Sequence, residues 1–404
     1  MLNPRLDQLI PYPFERLTEM LGGLAPAEGM EPILMSLGEP RHEPPDIVAE
    51  TLAASAADWG RYPPLRGTPG FRAAVADWVT ARYGLEPGLI SADANVLPVA
   101  GTREALFMIA LAAVPQVKGP GDARPLVLVP NPLYHVYSGA AVMAGAEPVF
   151  LPATAETRFL PDFHSLDPEV LERTALVYLC SPANPQGSAM ALEDLRDLIE
   201  SAMRFDFILA MDECYSEIYF DAPPAGALEA AASLGDHAAE ALDHVVVFNS
   251  LSKRSGAPGL RSGFIAGGAE VIAAFAALRN FASVQSPLPV INAAEKLWRD
   301  EAHVEAGRRR YREKLDIASE ALGEWPGFYR PDGGFFLWLD VGDGMDAAQQ
   351  LWTEAALRVL PGSCLCPPGG ALSEPGAPYI RLALVHEPDT IAEALSRLRR
   401  VLNQ

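Results

Sequence analysis

Short apolar runs alternating with helical patterns constrain this chain more than any other feature. Runs such as Leu126–Pro130, Ala175–Cys180, Phe207–Met211 and Val245–Asn249 lack a polar alternate face, as strands covered on both sides do. Asn95–Val99, Glu147–Leu151 and Gly263–Gly267 read as further strands. Between them lie helical patterns at Thr102–Ala113, Tyr134–Ala144, Leu192–Met203 and Ala269–Asn280. This rhythm predicts an α/β fold around a largely parallel sheet. The last stretch differs. One long helix is expected over Val290–Leu322, then a strand at Gly334–Leu339, a helix at Ala347–Leu357, a strand at Tyr379–Val385 and a closing helix from Pro388. That pattern reads as a second, smaller α+β lobe. The expected division is an N-terminal segment 1–45 joining the small domain, a large domain 46–285 and a small domain 286–404.

Composition narrows the function. A formal net charge of −21 repels nucleic acid and anionic membrane surfaces, so neither is an expected partner. Any anionic ligand must be held by local arginines and helix ends. The cysteines, Cys180, Cys214, Cys364 and Cys366, form no CxxC pair, and the histidines show no ligand cluster. Reduced thiols, a cytoplasmic setting and no metal are expected. No basic segment leads into a long apolar stretch at the start, and no run of about 18 apolar residues occurs, so neither a signal peptide nor a membrane span is expected.

In parallel α/β sheets, chemistry gathers beyond the carboxyl ends of strands. After Val99 comes AGTREALF, where Gly101 and Thr102 open a helix. Free N–H groups there suit a phosphate, although Thr102 also suits an ordinary cap. Tyr134 follows another strand and could stack on a flat ligand or be a half-buried aromatic. Asn184, between two prolines in SPANPQG, is either a fixed amide or a turn. Asp212 closes an apolar strand, where a carboxylate needs a partner, either an arginine or a protonated ring nitrogen; Tyr215 lies three residues on.

Lys253 is more telling. Only four of the 31 basic residues are lysines, at 118, 253, 296 and 314. Lys253 stands just past the strand Val245–Asn249, flanked by Ser250 and Arg261, in NSLSKRSGAPGLRSGF. Arginine supplies charge but not a nucleophilic amine; a desolvated lysine supplies both. Arg381, within the apolar YIRLALV, needs an anion, from the core or from a substrate. An amine, a carboxylate, an aromatic face, an amide and a phosphate cup together suit pyridoxal 5′-phosphate.

These stretches also resemble the class I and II aminotransferases, the fold-type I pyridoxal phosphate enzymes. SLSKRSGAPGLRSG is similar to the family's lysine signature, and AGTREAL, SPANPQG, DECYSEIY, RYPPLRGTPGFRAAV and IRLAL follow the family's order along nearly the whole chain. The resemblance implies that Lys253 carries the cofactor and moves the proton. It assigns Asp212 to the pyridine nitrogen, Asn184 and Tyr215 to the ring oxygen and Tyr134 to ring stacking. Gly101, Thr102, Ser250 and Arg261 would take the phosphate, with Arg103 as a weaker addition. Arg381 would hold the substrate α-carboxylate, and Gly38 of LGEP would line the substrate side. Tyr62 would reach the partner's site, implying a homodimer. Gln186 departs from the family's more frequent threonine.

PYPFERL, GEPRHEPP and GRYPPLRGTPGFRAAVADW are further similar to the proteobacterial N-succinyldiaminopimelate aminotransferases of lysine biosynthesis. That implies amino transfer between glutamate and a succinylated dicarboxylic oxo acid. Both substrates are multiply anionic, so a second cation is needed, and Arg41 is the candidate. Other class I specificities (aspartate, alanine or aromatic) and a β-lyase would share the cofactor residues. A metabolite-sensing regulator would need a DNA-binding module and fits the acidic chain poorly.

Overall fold

The computed structural model describes residues 2–282, 285–369 and 374–402. Its strands, in chain order, are β1 (Ile33–Leu34), β2 (Val96–Val99), β3 (Leu126–Asn131), β4 (Glu147–Pro152), β5 (Thr174–Cys180), β6 (Ile208–Asp212), β7 (Val245–Ser250), β8 (Gly263–Gly267), β9 (Phe336–Asp340), β10 (Leu357–Arg358), β11 (Leu360–Pro361) and β12 (Tyr379–Ala383). Seven form one sheet in the order β2-β8-β7-β6-β5-β3-β4. β8 runs antiparallel to both its neighbours, and the other pairings are parallel.

The uniform hydrophobicity of the central strands follows from their two covered faces. Successive residues point to opposite sides. Val177, Leu179, Leu209, Met211, Val245 and Val247 enter one core. Leu176, Tyr178, Ala210, Val246 and Phe248 enter the other. Helices Thr102–Ala113 and His135–Ala144 cover the second face. Tyr134 stands one residue outside its expected helix, as the residue before the first turn.

The smaller lobe holds the antiparallel sheet β11-β12-β9. The expected helix Val290–Leu322 is two helices, Leu288–Arg299 and Ala302–Leu322. Asp300 is extended at the break, and its carboxylate accepts the His303 N–H that opens the next helix. Periodicity continues through the gap, but the packing does not. Ile291, Ala294, Leu297 and Trp298 join the large-sheet core, whereas Leu315, Ala318 and Leu322 join the small lobe. The change of packing partner between the two helices therefore falls at Asp300. The expected helix over Ala347–Leu357 is Gly344–Ala355, capped by Asp343, and Leu357 leaves it to pair with Ile33.

The N-terminal segment touches both lobes. Arg5 donates to the Met143 carbonyl (3.2 Å) on the large-sheet side. Leu17 and Leu21 pack with Trp338 and Leu360, and β1 pairs with β10. No helix among the described residues is long and apolar enough to cross a membrane.

Candidate active site

β5, β6 and β7 end side by side, and their last residues, Cys180, Asp212 and Ser250, meet one cavity of about 540 Å³. The carboxyl edge of the parallel strands is thus where the side chains converge. Lys253 follows on the short helix Leu251–Arg254. Its neighbour Arg254 turns the other way, its guanidinium 4.7 Å from the Trp298 ring centroid and bonded to the Leu297 carbonyl (2.8 Å). That anchor leaves Lys253 facing the cavity. Lys253 Nζ donates to the Gly38 carbonyl at 2.6 Å and lies 5.1 Å from the Phe335 ring centroid. Burial pulls its pKa down to about 8, despite the raising effect of nearby Cys214. The amine is therefore partly free near neutral pH.

Asp212 is buried at the end of β6. It accepts from the Tyr137 hydroxyl (2.8 Å) and the Cys214 N–H (3.2 Å). Burial raises its pKa, and these donors hold it back. Among the described residues no arginine, lysine or histidine forms an ion pair with it. Tyr137 itself is clamped by stacking on Tyr178, at 4.6 Å and 10°.

Arg381, on β12, is also buried. It donates to Asn184 Oδ1 (3.0 Å) and the Ser36 carbonyl (2.7 Å), and lies 4.3 Å from the Phe336 ring centroid. Its Nε has no partner. Burial lowers its pKa to about 10, so it stays cationic at neutral pH.

The phosphate candidates gather at the other sheet neighbours. Gly101 has φ +90°, and a Cβ there would collide with the Arg261 guanidinium. Arg261 Nη2 meets the Ala100 carbonyl at 3.4 Å. Thr102 Oγ1 lies 3.2 Å from Cys214 Sγ, and Ser250 caps its short helix through the Ser252 N–H. Arg103 donates Nε to the Tyr134 hydroxyl at 2.9 Å. Tyr215 is buried in the wall, its ring edge-on to Phe335 and Phe336.

Lys253, Asp212, Tyr215, Asn184, Tyr134, Thr102, Arg103, Ser250, Arg261, Arg381 and Gly38 all line the cavity, with Gly101 immediately beside it. Two candidates stand elsewhere. Arg41 is exposed, bonds His386 Nδ1 (3.3 Å), and contributes nothing to the lining. Tyr62 is fully exposed, away from this chain's own cavity. Sequence reasoning also missed Tyr137, Phe336 and Tyr12, which line the site. Tyr137 stands one helical turn from Tyr134, and that i,i+3 spacing was a usable signal. Phe336 had none, because it arrives from the other lobe.

The residues fit pyridoxal phosphate. The buried Asp212 carboxylate suits a ring nitrogen, the partly neutral Lys253 amine suits the aldehyde, and Thr102, Ser250 and Arg261 beside Gly101 suit the phosphate. Sheet order and site together are those of a fold-type I pyridoxal phosphate enzyme. More narrowly, the chain belongs to the family described as aminotransferase class I and II, whose pattern matches residues 31–398. It is 31% identical to an LL-diaminopimelate aminotransferase of Moorella thermoacetica, covering 99% of this chain and 98% of that one. It is 32% identical to a 4-dedimethylamino-4-oxo-anhydrotetracycline transaminase of Streptomyces rimosus, covering 97% of each. An aminotransferase crystal structure from Neisseria meningitidis is 40% identical, with a TM-score of 0.91 over 99% of both chains. The family depends on pyridoxal phosphate and acts on amino and oxo acids.

Proposed function

We propose that this aminotransferase moves an amino group between glutamate/2-oxoglutarate and a dicarboxylic amino or oxo acid, with N-succinyl-LL-2,6-diaminopimelate as the leading substrate. The observation that carries amino transfer is the opening of Lys253, Asp212 and Arg381 on one cavity. The cavity's arginines, Arg103, Arg261 and Arg381, stand beside the carboxylates of Glu39, Glu104 and Asp212. They are assigned to the cofactor phosphate and to one substrate carboxylate, so the reading of a second substrate carboxylate rests on the resemblance. The succinylated substrate is favoured by the resemblance of the N-terminal stretches. Unmodified LL-diaminopimelate is the second reading, favoured by the name of the Moorella relative.

Bound pyridoxal phosphate supplies an electron sink for the carbanion at the substrate Cα. The protein supplies the rest. Asp212 would face the ring nitrogen and keep it protonated, with Tyr137 fixing the carboxylate. Asn184 and Tyr215 would face the ring oxygen, and Tyr134 the ring. Gly101, Thr102, Ser250 and Arg261, with Arg103, would hold the phosphate. The planar fork of Arg381 would take the α-carboxylate and so orient the Cα–H bond. Lys253, once free, would take that proton and return it, a task suited to an amine whose pKa is near 8. Phe336, Tyr215 and the Gly38 segment would exclude water on the substrate side. The exposed Tyr62 would complete the partner's site in a homodimer, and the enzyme would work in the cytoplasm.

A coupled assay tests the substrate. The purified holoenzyme is given glutamate with a panel of oxo acids, including the succinylated oxopimelate, and LL-diaminopimelate with 2-oxoglutarate. The highest kcat/KM is expected for the succinylated pair. A higher value for LL-diaminopimelate would transfer the assignment to the second reading, and activity with neither would remove both.

A further inference from the structure

The segment from Leu37 to Asp46 is a partition. Leu37, Gly38 and Glu39 line the main cavity, whereas His42, Pro44 and Asp46 line a second cavity of about 260 Å³. Lys253 lines both. Two active-site cations hold the near end of the partition through its backbone. Arg381 donates to the Ser36 carbonyl (2.7 Å) and Lys253 to the Gly38 carbonyl (2.6 Å). The second of these anchors cannot be permanent. If Lys253 is the amine at which the reaction runs, as read above, its nitrogen leaves the Gly38 carbonyl whenever it bonds to cofactor or moves to the substrate carbon whose proton it takes.

The far end has anchors that chemistry does not disturb. His42 Nε2 meets Lys314 Nζ at 2.8 Å, and Lys314 also reaches the Val385 carbonyl at 3.5 Å. His42 Nδ1 points at Glu387 (3.7 Å), and its ring lies edge-on to Tyr311. Arg41 adds a more exposed contact, to His386. Lys314 is one of the chain's four lysines, and it is buried on helix Ala302–Leu322. A buried ammonium costs stability, so this pair is poorly explained as a means of strengthening the fold. A charge-assisted, shielded hydrogen bond does explain how a loop without regular structure keeps one position.

We propose that Lys314 and His42 are positioning residues, which hold the Gly38 segment against the active site while Lys253 is away from the Gly38 carbonyl. The protonation states agree with this. Burial lowers His42 to about 4, with Lys314 and Arg310 adding to the effect, so at neutral pH its Nε2 can accept. Lys314, lowered to about 8 by burial, still carries its proton at pH 7. Glu387, His386, Arg310, Tyr311 and Glu313 are charged or titratable groups that face the pair, with Arg41 beside His386.

The test uses the holoenzyme and the variants His42→Phe, His42→Gln and Lys314→Met. His42→Phe and Lys314→Met are expected to raise KM for amino and oxo acid about tenfold while kcat changes less than about threefold. Cofactor content and visible absorbance should match the wild type, and amide exchange in 37–45 should quicken. His42→Gln keeps a side-chain acceptor for Lys314 and should return KM close to the wild-type value. Wild-type KM in His42→Phe would overturn the proposal, and so would a His42→Gln enzyme as impaired as His42→Phe. Equal loss of kcat, cofactor and thermal stability would make the pair merely structural. If Lys314→Met does not fold, the two His42 variants decide. Turnover retained by Lys253→Ala would instead overturn the Lys253 reading on which the pair depends.

Discussion

The Tyr137 hydroxyl donates to Asp212 Oδ2 at 2.8 Å, from a ring stacked flat on Tyr178. The carboxylate at the end of β6 is thereby aimed by a residue from the helix covering the sheet. Tyr137→Phe removes one hydrogen bond to a charged group, worth about 1.5–3 kcal/mol. If most of that is felt in the protonation of the cofactor ring, kcat should fall by about ten- to a hundredfold, with the fold intact. Steady-state kinetics beside a melting curve check this. An unchanged kcat would show that Asp212 needs no such support.

Lys253 should show its lowered pKa when cofactor is loaded. Its folded value, about 8, lies below the ordinary lysine value, and only the unprotonated amine attacks the cofactor aldehyde. Capture should therefore be slow at pH 6, rise through pH 8 and level off above it. Stopped-flow absorbance of apoprotein mixed with pyridoxal phosphate measures this. A rate still climbing tenfold per pH unit at pH 9.5 would mean an ordinary lysine. Lys253→Ala should lose both the visible band and turnover.

Arg381→Ala leaves Asn184 Oδ1 and the Ser36 carbonyl without their donor and removes the proposed α-carboxylate clamp. KM should rise for amino and oxo substrate alike, by about a hundredfold or more for a lost bidentate contact. An effect on one substrate alone would move Arg381 out of that role.

Gly101→Ala combines a strained φ of +90° with a Cβ that meets the Arg261 guanidinium. The backbone strain alone costs about 1–2 kcal/mol. The displaced arginine should loosen cofactor by about tenfold or more, as charge-assisted phosphate contacts are lost. Fluorescence titration of apoprotein gives the affinity. Wild-type affinity would exclude Gly101 and Arg261 from the phosphate site.

Tyr62 is fully exposed, so its proposed role exists only across a dimer. Tyr62→Ala and Lys253→Ala should each be impaired, and mixed subunits should recover activity. A mixed dimer carries one intact site, so random exchange should restore about a quarter of wild-type turnover. No recovery after verified exchange would place Tyr62 outside the neighbouring site.

Much of the fold was legible because burial writes itself into local sequence. β5, β6 and β7 are apolar on both faces, and the residues at or just past their ends identified Asn184, Asp212 and Ser250 as neighbours of the chemistry. Lys253 stood out because so few lysines compete with it. The break at Asp300 was not legible, because helix periodicity runs on through it and only the change of packing partner ends the first helix. Arg41 looked well placed because it lies three residues from Gly38, yet its side chain turns to His386.

By itself, then, the sequence determined the strand set, the nucleophilic amine and most of the cavity's polar lining, since each depends on what a residue is and which strand end it follows. Only the tertiary structure decided what those groups face. Arg381 meets Asn184, Lys253 meets Gly38 and Lys314 meets His42 across separations of 197, 215 and 272 residues. No local pattern records such pairings, because they arise when two lobes and an N-terminal segment close on one another.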